Sequence, residues 1–203
     1  MPDSLPEASK KGAKYQRRRQ DVLDAAAAVI ARKGYHGAST TDIADYLGVA
    51  QPSLYYYVKS KDEALEEICR IGTAGYLERL QTIAAGSGPT ADKIRASIYA
   101  HIEPVLTIPN YVKSFQRERR YLPDDRRREV SRMTGEYDAL FREMLERGVA
   151  AGELRANLDC RLAALMLITQ CNAVQNYLAS EDDLPHAAKS IADVFLAGAK
   201  LHT

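Results

Sequence analysis

The chain has 203 residues, with 28 Lys/Arg, 27 Asp/Glu and a formal net charge of +1. This length suits one large domain or a small domain followed by a larger one, and so balanced a charge does not by itself indicate a nucleic-acid-binding protein. No stretch approaches the roughly 18 apolar residues of a membrane-spanning helix, and no signal-peptide pattern follows the N-terminal charges, so we expect a cytoplasmic protein with no membrane partner.

The charge is unevenly distributed along the chain. Residues 1–61 contain ten Lys/Arg and six Asp/Glu, a net charge of +4, whereas the remainder contains 18 and 21, a net charge of −3. Residues 1–14 contain Pro, Ser and Lys without periodicity, so we expect a disordered basic arm there. A basic first part and a slightly acidic second part are typical of a DNA-binding head on a sensing body, although a basic tail on an unrelated protein would give the same balance.

A helix is predicted from Tyr15 to Lys33, followed by two short helices around a tight turn. Ser39 or Thr40 can supply the N-cap hydroxyl of the second helix, and Gly48 can take the left-handed conformation that ends it. The apolar residues of the two short helices fall on one side, which we expect to face the core. Aromatic and hydrogen-bonding side chains, from Gln51 to Tyr57, fall on the other side, as in a helix–turn–helix that reads DNA. A helix pair with half-buried tyrosines in a protein that binds no DNA would show the same pattern.

Residues 17–63 resemble the N-terminal domain of the tetracycline-repressor (TetR) family of bacterial transcriptional regulators. The sequence pattern of this family begins with an amphipathic helix that has an Arg near its start, followed by a turn with Gly and an aromatic residue. A helix with Thr at its N-cap and an Ile-Ala pair comes next, and then Gly-Val, Leu-Tyr and a Ser-Lys or Asn-Lys pair. The residues that carry the resemblance here are Arg19, Val22-Leu23, Ala25-Ala26, Ile30, Gly34-Tyr35, Thr40-Thr41, Ile43-Ala44, Gly48-Val49, Leu54-Tyr55 and Ser60-Lys61. The family often has a glycine in the first turn of the reading helix, where this chain has Gln51-Pro52.

Nine residues of the head are predicted to contact DNA. Hydroxyls, backbone amides and charge at helix starts suit phosphate contacts, for which the candidates are Thr40, Thr41 and Lys61. We expect contacts with base edges and thymine methyls from Gln51, Pro52, Ser53 and Tyr55. A glutamine can form two hydrogen bonds with an adenine. The DNA backbone is expected to meet Tyr56 and Tyr57.

The rest of the chain, from residue 63 onward, is predicted to be helical, and we call it the body. Ser60 and Glu63 form a sequence-level capping box at the start of a helix that runs to about Ala85. Further segments have apolar residues at helical spacing, and no run alternates as a strand would. We therefore predict an all-α fold of about nine helices, with a three-helix helix–turn–helix head at residues 15–62 and a ligand-binding and dimerisation body at residues 63–203.

The two C-terminal helices, over residues 160–178 and 186–201, are predicted to form a homodimer interface. The first is apolar nearly all round at its start, and small residues in the second allow close helix approach. A two-fold four-helix bundle satisfies both features, and the family resemblance implies the same arrangement; a core helix of a monomer remains the alternative. The predicted interface residues are Leu165, Ile191, Val194, Phe195 and Gly198.

The body is expected to hold a small hydrophobic effector in a pocket with few polar groups. The predicted ligand-binding residues are His101, Asn110, Phe115, Glu118, Tyr137, Phe141, Met166, Thr169 and Asn172, with Gln116 and Asn176 as further polar candidates. Each polar member could instead be a satisfied core or surface residue. The run FQRERRYLPDDRRR with the later ITQCNAVQNYL loosely resembles the sensing domain of acyl-CoA-responsive family members, without their tryptophan, and implies phosphate contacts by Arg117, Arg119 and Arg120.

Catalytic and metal-binding patterns are absent from the sequence. The four histidines have no partner at triad or ligand spacing, and GxSxG, P-loop, GxGxxG and HExxH motifs do not occur. Cys69, Cys160 and Cys171 lack zinc or disulfide spacing, so we interpret them as reduced core residues. We predict no enzyme activity, no cofactor and no metal.

The predicted function is a ligand-controlled, sequence-specific transcriptional regulator, most often a repressor, that a hydrophobic effector releases from double-stranded operator DNA. The acyl-CoA resemblance makes an acyl-CoA thioester one candidate effector. The alternative is a helical protein–protein interaction module that does not bind DNA. Salt distinguishes the two, because DNA affinity falls with a log–log slope of about −0.9 for each phosphate neutralised.

Overall fold

The computed structural model describes residues 7–174, 177–178 and 180–199, without the side chains of residues 7–11. Residues 1–6 of the predicted arm and Asn176 lie outside this part. Helices are its only regular secondary structure, which confirms the all-α prediction. They are α1 (Glu7–Lys33), α2 (Thr40–Leu47), α3 (Gln51–Leu54), α4 (Lys61–Ala85), α5 (Thr90–Ile102), α6 (Pro104–Thr107), α7 (Pro109–Glu118), a 3₁₀ turn (Arg119–Tyr121), α8 (Asp124–Ala150), α9 (Cys160–Ala173) and α10 (Asp183–Ala199). None of these helices is long and apolar enough to cross a lipid bilayer.

The chain forms two compact units. The first contains the residues up to Gly72 together with Asn110–Val130, and the second contains Thr73–Pro109 together with the residues from Ser131 onward. The boundaries fall within α4, at the start of α7 and within α8. The first unit is therefore larger than the head predicted to end at residue 62.

The first helix begins earlier than the sequence predicted. Residues 7–14 form the first two turns of α1, so this part of the expected disordered arm is helical. Ala and Lys favour helix, and Tyr15 is held by its ring contacts with Tyr56 and Tyr57. Farther along α1 the apolar face is fully buried, including Leu23, Ala26, Val29 and Ile30.

Local capping sets the limits of α2. The Ser39 hydroxyl accepts a hydrogen bond from the Asp42 amide at 3.0 Å, and the Asp42 carboxylate accepts one from the Ser39 amide at 2.9 Å. Ser39, rather than Thr40, is thus the N-cap. Gly48 ends the helix with φ of 66°, a conformation that costs glycine little.

The reading helix is shorter than a full recognition helix. Only Gln51–Leu54 is α-helical, and a hydrogen-bonded turn over Tyr55–Tyr57 follows, closed by the Val58 amide to the Leu54 carbonyl at 3.1 Å. Leu54 and Val58 are buried beneath this segment, as the sequence predicted.

Helix α7 packs on α1 within the first unit. The Tyr111 hydroxyl donates to Asp24 at 2.6 Å and accepts from Gln20 at 2.8 Å. The Ser114 hydroxyl donates to the Ala27 carbonyl at 3.2 Å. These bonds join residues about 90 positions apart in the chain, and they place a segment that was predicted as body in the same unit as the head.

The second unit is built around an apolar core contributed by α5, α8, α9 and α10. Ile94, Ile98 and Ile102 of α5 and Phe141 and Leu145 of α8 are completely buried in it. Asp159 caps α9 by accepting from the Leu162 amide at 2.9 Å. This core holds the side chains that form the candidate effector site.

Candidate DNA-binding surface and effector site

Three predicted DNA-binding residues are joined by hydrogen bonds at the start of α3. Gln51 Nε2 lies 2.8 Å from Thr40 Oγ1 and 3.5 Å from the Tyr55 hydroxyl oxygen. The Tyr55 oxygen and Thr40 Oγ1 are 3.2 Å apart. Gln51 retains its amide oxygen as an acceptor for a base edge. The cluster therefore restricts the Gln51 side chain before DNA binds.

The other predicted contacts around α3 surround this cluster. Thr41, Pro52 and Ser53 are exposed, and Tyr56 is 71 % exposed. Exposed hydroxyl and amide groups can donate to phosphates and base edges, and an exposed apolar surface beside them can contact a thymine methyl. Their roles in base and phosphate contact stay predictions.

Tyr15 is a residue of this surface that the sequence reasoning missed. Its ring centroid lies 5.6 Å from that of Tyr56 and 5.4 Å from that of Tyr57, and the Tyr56 and Tyr57 centroids are 5.1 Å apart. This contact brings the exposed side chains of Lys14 and Arg17, on either side of Tyr15, close to the reading segment. The available signal was the Tyr within a run of basic residues, but its partner is about 40 positions away.

Lys61, a predicted phosphate contact, makes bonds within the protein. Its ammonium donates to the Tyr35 carbonyl at 2.7 Å and the Ala38 carbonyl at 2.9 Å, and it lies 4.2 Å from the centroid of the Tyr35 ring. The Tyr35 hydroxyl also donates to Asp62. Lys61 therefore links α4 to the turn between α1 and α2, and its phosphate contact stays a prediction.

Two of the predicted effector residues instead support the head. Glu118 accepts a hydrogen bond from the Tyr35 amide at 2.9 Å. Phe115 lies under the guanidinium of Arg119, 4.7 Å from the ring centroid. Asn110 is exposed at the start of α7. These three positions belong to the first unit, and His101 belongs to the second. Local periodicity could not reveal this, because it depends on α7 packing against α1.

Four other predicted effector residues do meet, in the core of the second unit. The His101 ring places Nδ1 at 2.8 Å from the Tyr137 hydroxyl and Nε2 at 3.3 Å from Asn172 Oδ1. Phe141 continues the aromatic contact, 6.1 Å from Tyr137 between centroids. Because the Asn172 oxygen can only accept, the His101 Nε2 proton faces it and Nδ1 accepts from Tyr137.

The His101 cluster is uncharged at neutral pH. Burial lowers the pKa of His101 to about 4, against the opposing effect of the Asn172 hydrogen bond. Burial also raises the pKa of Tyr137 well above its usual value. The cluster is therefore a neutral polar group in an apolar core.

A small cavity adjoins this cluster. It is too narrow to hold even a water molecule, so binding of a hydrophobic effector requires the core to open. The sequence reasoning missed the contribution of α4. The cavity is lined by Tyr76, Leu80, Ile83, Ser97, Ala100, His101 and Tyr137.

Met166 and Thr169 face away from the His101 cluster. Met166 is 53 % exposed, and Thr169 is exposed, with its hydroxyl bonded to the Leu165 carbonyl of its own helix at 2.8 Å. The buried face of α9 is formed by Ala163, Ala164, Leu167 and Cys171. Met166 and Thr169 therefore lie on the outward face of this helix, and the uniform apolarity of the segment did not distinguish its faces.

The outward faces of α9 and α10 form one apolar surface. Leu165 and Val194 are 60 % and 67 % exposed, Gly198 is exposed, and Ile191 and Phe195 are half-buried. A groove of about 240 Å³ lies between the two helices, lined by residues that include Leu162, Met166, Val194, Phe195 and Gly198. Exposed apolar surface of this kind is typical of a protein interface.

The described cysteines and acidic groups offer no metal site. No group of three His, Cys, Asp or Glu side chains within the described ranges is arranged to hold a metal ion. Cys69, Cys160 and Cys171 are buried free thiols. Burial raises the pKa of Cys69 and of Cys171 to about 12, so both thiols are protonated at neutral pH.

Comparison with known proteins finds two family models along the chain. Residues 22–68 match the family model for bacterial regulatory proteins of the tetR family, and residues 87–197 match the model for the tetracyclin repressor-like C-terminal domain. The fatty acid metabolism regulator protein of Bacillus subtilis is 26 % identical over 180 residues, which cover 87 % of this chain and 93 % of the relative.

Two further matches extend this similarity. The HTH-type transcriptional repressor KstR2 of Rhodococcus jostii is 30 % identical over 152 residues, 72 % of each chain. The crystal structure of the transcriptional regulator FadR from Bacillus subtilis in complex with stearoyl-CoA has a TM-score of 0.73 and 25 % identity, covering 90 % of this chain and 99 % of FadR.

Proposed function

This chain belongs to the tetracycline-repressor family of transcriptional regulators, and from this premise we propose that it is a homodimeric repressor released from operator DNA by an acyl-CoA thioester. It is a ligand-responsive DNA-binding regulator, and a protein-interaction module without DNA binding is not favoured. Because both the chromosome and acyl-CoA metabolism are cytoplasmic, the proposed function is a cytoplasmic one.

The observation that carries the effector half is the buried His101–Tyr137–Asn172 cluster. It sets one neutral hydrogen-bonded group in an otherwise apolar core, beside aliphatic and aromatic side chains. An acyl chain suits such surroundings, since apolar burial supplies affinity and a few polar groups set orientation. The similarity to a fatty acid metabolism regulator, and to a FadR solved with stearoyl-CoA, supports the thioester.

The DNA half is supported by the surface around α3. The Thr40–Gln51–Tyr55 cluster presents an amide and hydroxyls next to the exposed Tyr56. Specific recognition of bases needs such groups held in a defined orientation. We propose that Gln51 reads a base edge and that Thr41 and the backbone amides at the start of α2 bind phosphate.

The homodimer is supported by the apolar face of α9 and α10. Leu162, Leu165 and Val194 are more than half exposed there. Burying this face against a second copy removes apolar surface from water, and two-fold symmetry pairs each helix with its mate. A dimer also presents two heads to two half-sites about one turn of DNA apart, roughly 34–36 Å.

The test uses the purified full-length protein and an operator selected from a pool of random duplexes. Binding to the selected duplex is measured by fluorescence anisotropy while oleoyl-CoA, oleate or free CoA is added. We expect oleoyl-CoA to release the DNA at concentrations where free CoA does not. Selection that yields no preferred duplex would contradict the DNA-binding role, and indifference of the complex to acyl-CoA would contradict the thioester.

A further inference from the structure

One arginine of the second unit lacks the partner that its neighbours have. Arg79 is half-buried on α4, and its Nε is fully buried without a hydrogen-bond partner. Across the described ranges, Arg79 makes no hydrogen bond or ion pair. Its guanidinium carbon lies 5.4 Å from the centroid of the Tyr76 ring, which itself lines the small cavity.

Other arginines of the second unit lie next to a carboxylate. Arg95 pairs with Asp193 at 3.5 Å and Arg147 with Glu143 at 3.5 Å, and Arg142, whose Nε also lacks a hydrogen bond, still has the Glu146 carboxylate at 3.3 Å. A guanidinium removed from water loses hydration that only an acceptor can replace, and an anionic acceptor replaces it best. Arg79 is half-buried and has no acidic partner among the described residues, so it is a place in this unit where an anion from outside the chain would be stabilised.

The contacts of His101 explain why Arg79, and not His101, would bind an anionic group. Both ring nitrogens of His101 are already engaged, by Tyr137 and by Asn172. The His101 and Tyr76 ring centroids are only 4.9 Å apart. After burial, the positive charge of Arg79 contributes to the low pKa of His101, which shows that the charge acts on the cluster. Arg79 is thus the charged donor at the edge of a neutral cluster.

We propose that Arg79 is the anion-binding residue of the effector site, and that it holds an anionic oxygen of an acyl effector whose chain packs beside Tyr76 and Leu80 when the core opens. The oxygen belongs to a phosphate of coenzyme A or to the carboxylate of a free acid. Both fit the planar donor fork of arginine, which can bind two oxygens at once. This inference rests on the proposed effector response, and it adds the residue and the charge that the effector must carry.

The experiment measures binding of oleoyl-CoA, oleate and free CoA to the full-length protein by isothermal titration calorimetry. The variants are Arg79→Gln, which removes the charge, and Arg79→Lys, which keeps it without the fork. Arg95→Gln is the matched control, because it removes the same charge from an exposed arginine of the same unit. Thermal unfolding of each variant without ligand separates a binding role from a structural one.

We expect Arg79→Gln to weaken the effector that the wild type binds by about 10- to 100-fold, the range for the removal of a charged hydrogen bond. Arg79→Lys should lie between, Arg95→Gln should match the wild type, and the melting temperature of the Arg79 variants should not fall. A loss of affinity seen only with CoA compounds assigns the phosphate, and a loss of affinity seen with oleate assigns the carboxylate.

The inference fails if Arg79→Gln binds every ligand as tightly as the wild type, or if its weaker binding follows a loss of folding that Arg79→Lys shares. Failure of the proposed thioester response looks different. In that case the wild type itself does not bind oleoyl-CoA, whatever the variants do.

Discussion

Gln51 Nε2 donates a 2.8 Å hydrogen bond to Thr40 Oγ1, which joins the first residue of α3 to the first residue of α2. The bond connects a residue proposed to read bases with one proposed to bind phosphate. It implies that the two roles are not independent, because a change at Thr40 also frees the Gln51 side chain.

Thr40→Val is therefore expected to reduce specificity as well as affinity. Valine keeps the shape of threonine but cannot accept from Gln51, so the amide must be ordered when DNA binds. We expect the ratio of specific to non-specific affinity to fall by about tenfold, near the roughly 1–3 kcal/mol of one good base contact. Thr41→Val, outside the cluster, should weaken both affinities alike. Equal effects of the two substitutions on the ratio would contradict the coupling.

Lys61→Met is expected to destabilise the first unit. The substitution keeps the side-chain stem and leaves the Tyr35 and Ala38 carbonyls without their charged donor. Two such bonds suggest a decrease of about 1–3 kcal/mol in the free energy of unfolding, measured by urea denaturation. Lys59→Met, at an exposed neighbouring position, serves as the control. If Lys61→Met changed only the salt dependence of DNA binding, the lysine would be a phosphate ligand rather than a structural link.

Lys14→Gln with Arg17→Gln is expected to flatten the salt dependence of DNA binding. Tyr15 packs on Tyr56 and Tyr57, so the exposed basic residues beside it lie near the reading segment. Each DNA phosphate that the variant no longer neutralises should reduce the log–log slope by about 0.9, on specific and random duplexes alike. Arg32→Gln, at the other end of α1, should leave the slope unchanged. An unchanged slope in the double variant would remove this end of α1 from the DNA interface.

Stability is expected to fall as the solution becomes more acidic, because of His101. Burial lowers the folded-state pKa of His101 from 6.5 to about 4, so the unfolded chain binds more protons between these values. The contribution is complete above pH 6.5 and is lost as pH falls towards 4, at about 1.4 kcal/mol for each pKa unit. Urea denaturation at pH 7.5, 6 and 5 measures it. His101→Gln should flatten this dependence, and the exposed-site control His186→Gln should not.

Val194→Glu is expected to convert the dimer to monomers. The side chain is 67 % exposed on the apolar face of α9 and α10, and a charge there would be desolvated in the proposed interface. Gly198→Arg should act similarly by adding bulk. Ala96→Glu, at an exposed position of α5, provides the control. Light scattering at micromolar concentration gives the mass, and a persistent dimer in both interface variants would place the interface elsewhere.

Some features of this protein followed from the sequence because they depend on neighbours within one helical turn. Ser39 and Asp42 cap α2, Gly48 ends it, and the Ser60 hydroxyl caps α4 by accepting from the Glu63 amide at 3.0 Å. The family pattern within residues 17–63 has the same local character, so the head and its function could be predicted. The apolar character of α9 and α10 also could be predicted, since it depends only on the residues within each helix.

Other features were decided by contacts between residues far apart in the chain. The hydrogen bonds of Tyr111 to Asp24 and Gln20 bring α7 onto α1, and the carboxylate of Glu118 at the end of α7 accepts from the Tyr35 amide. The Lys61 ammonium is bound by carbonyls about 25 positions earlier, which no local pattern encodes. His101 and Tyr137 meet only because α5 and α8 share a core. A periodic sequence determines which face of a helix is apolar, but the choice of the helix that covers that face depends on packing of the whole chain.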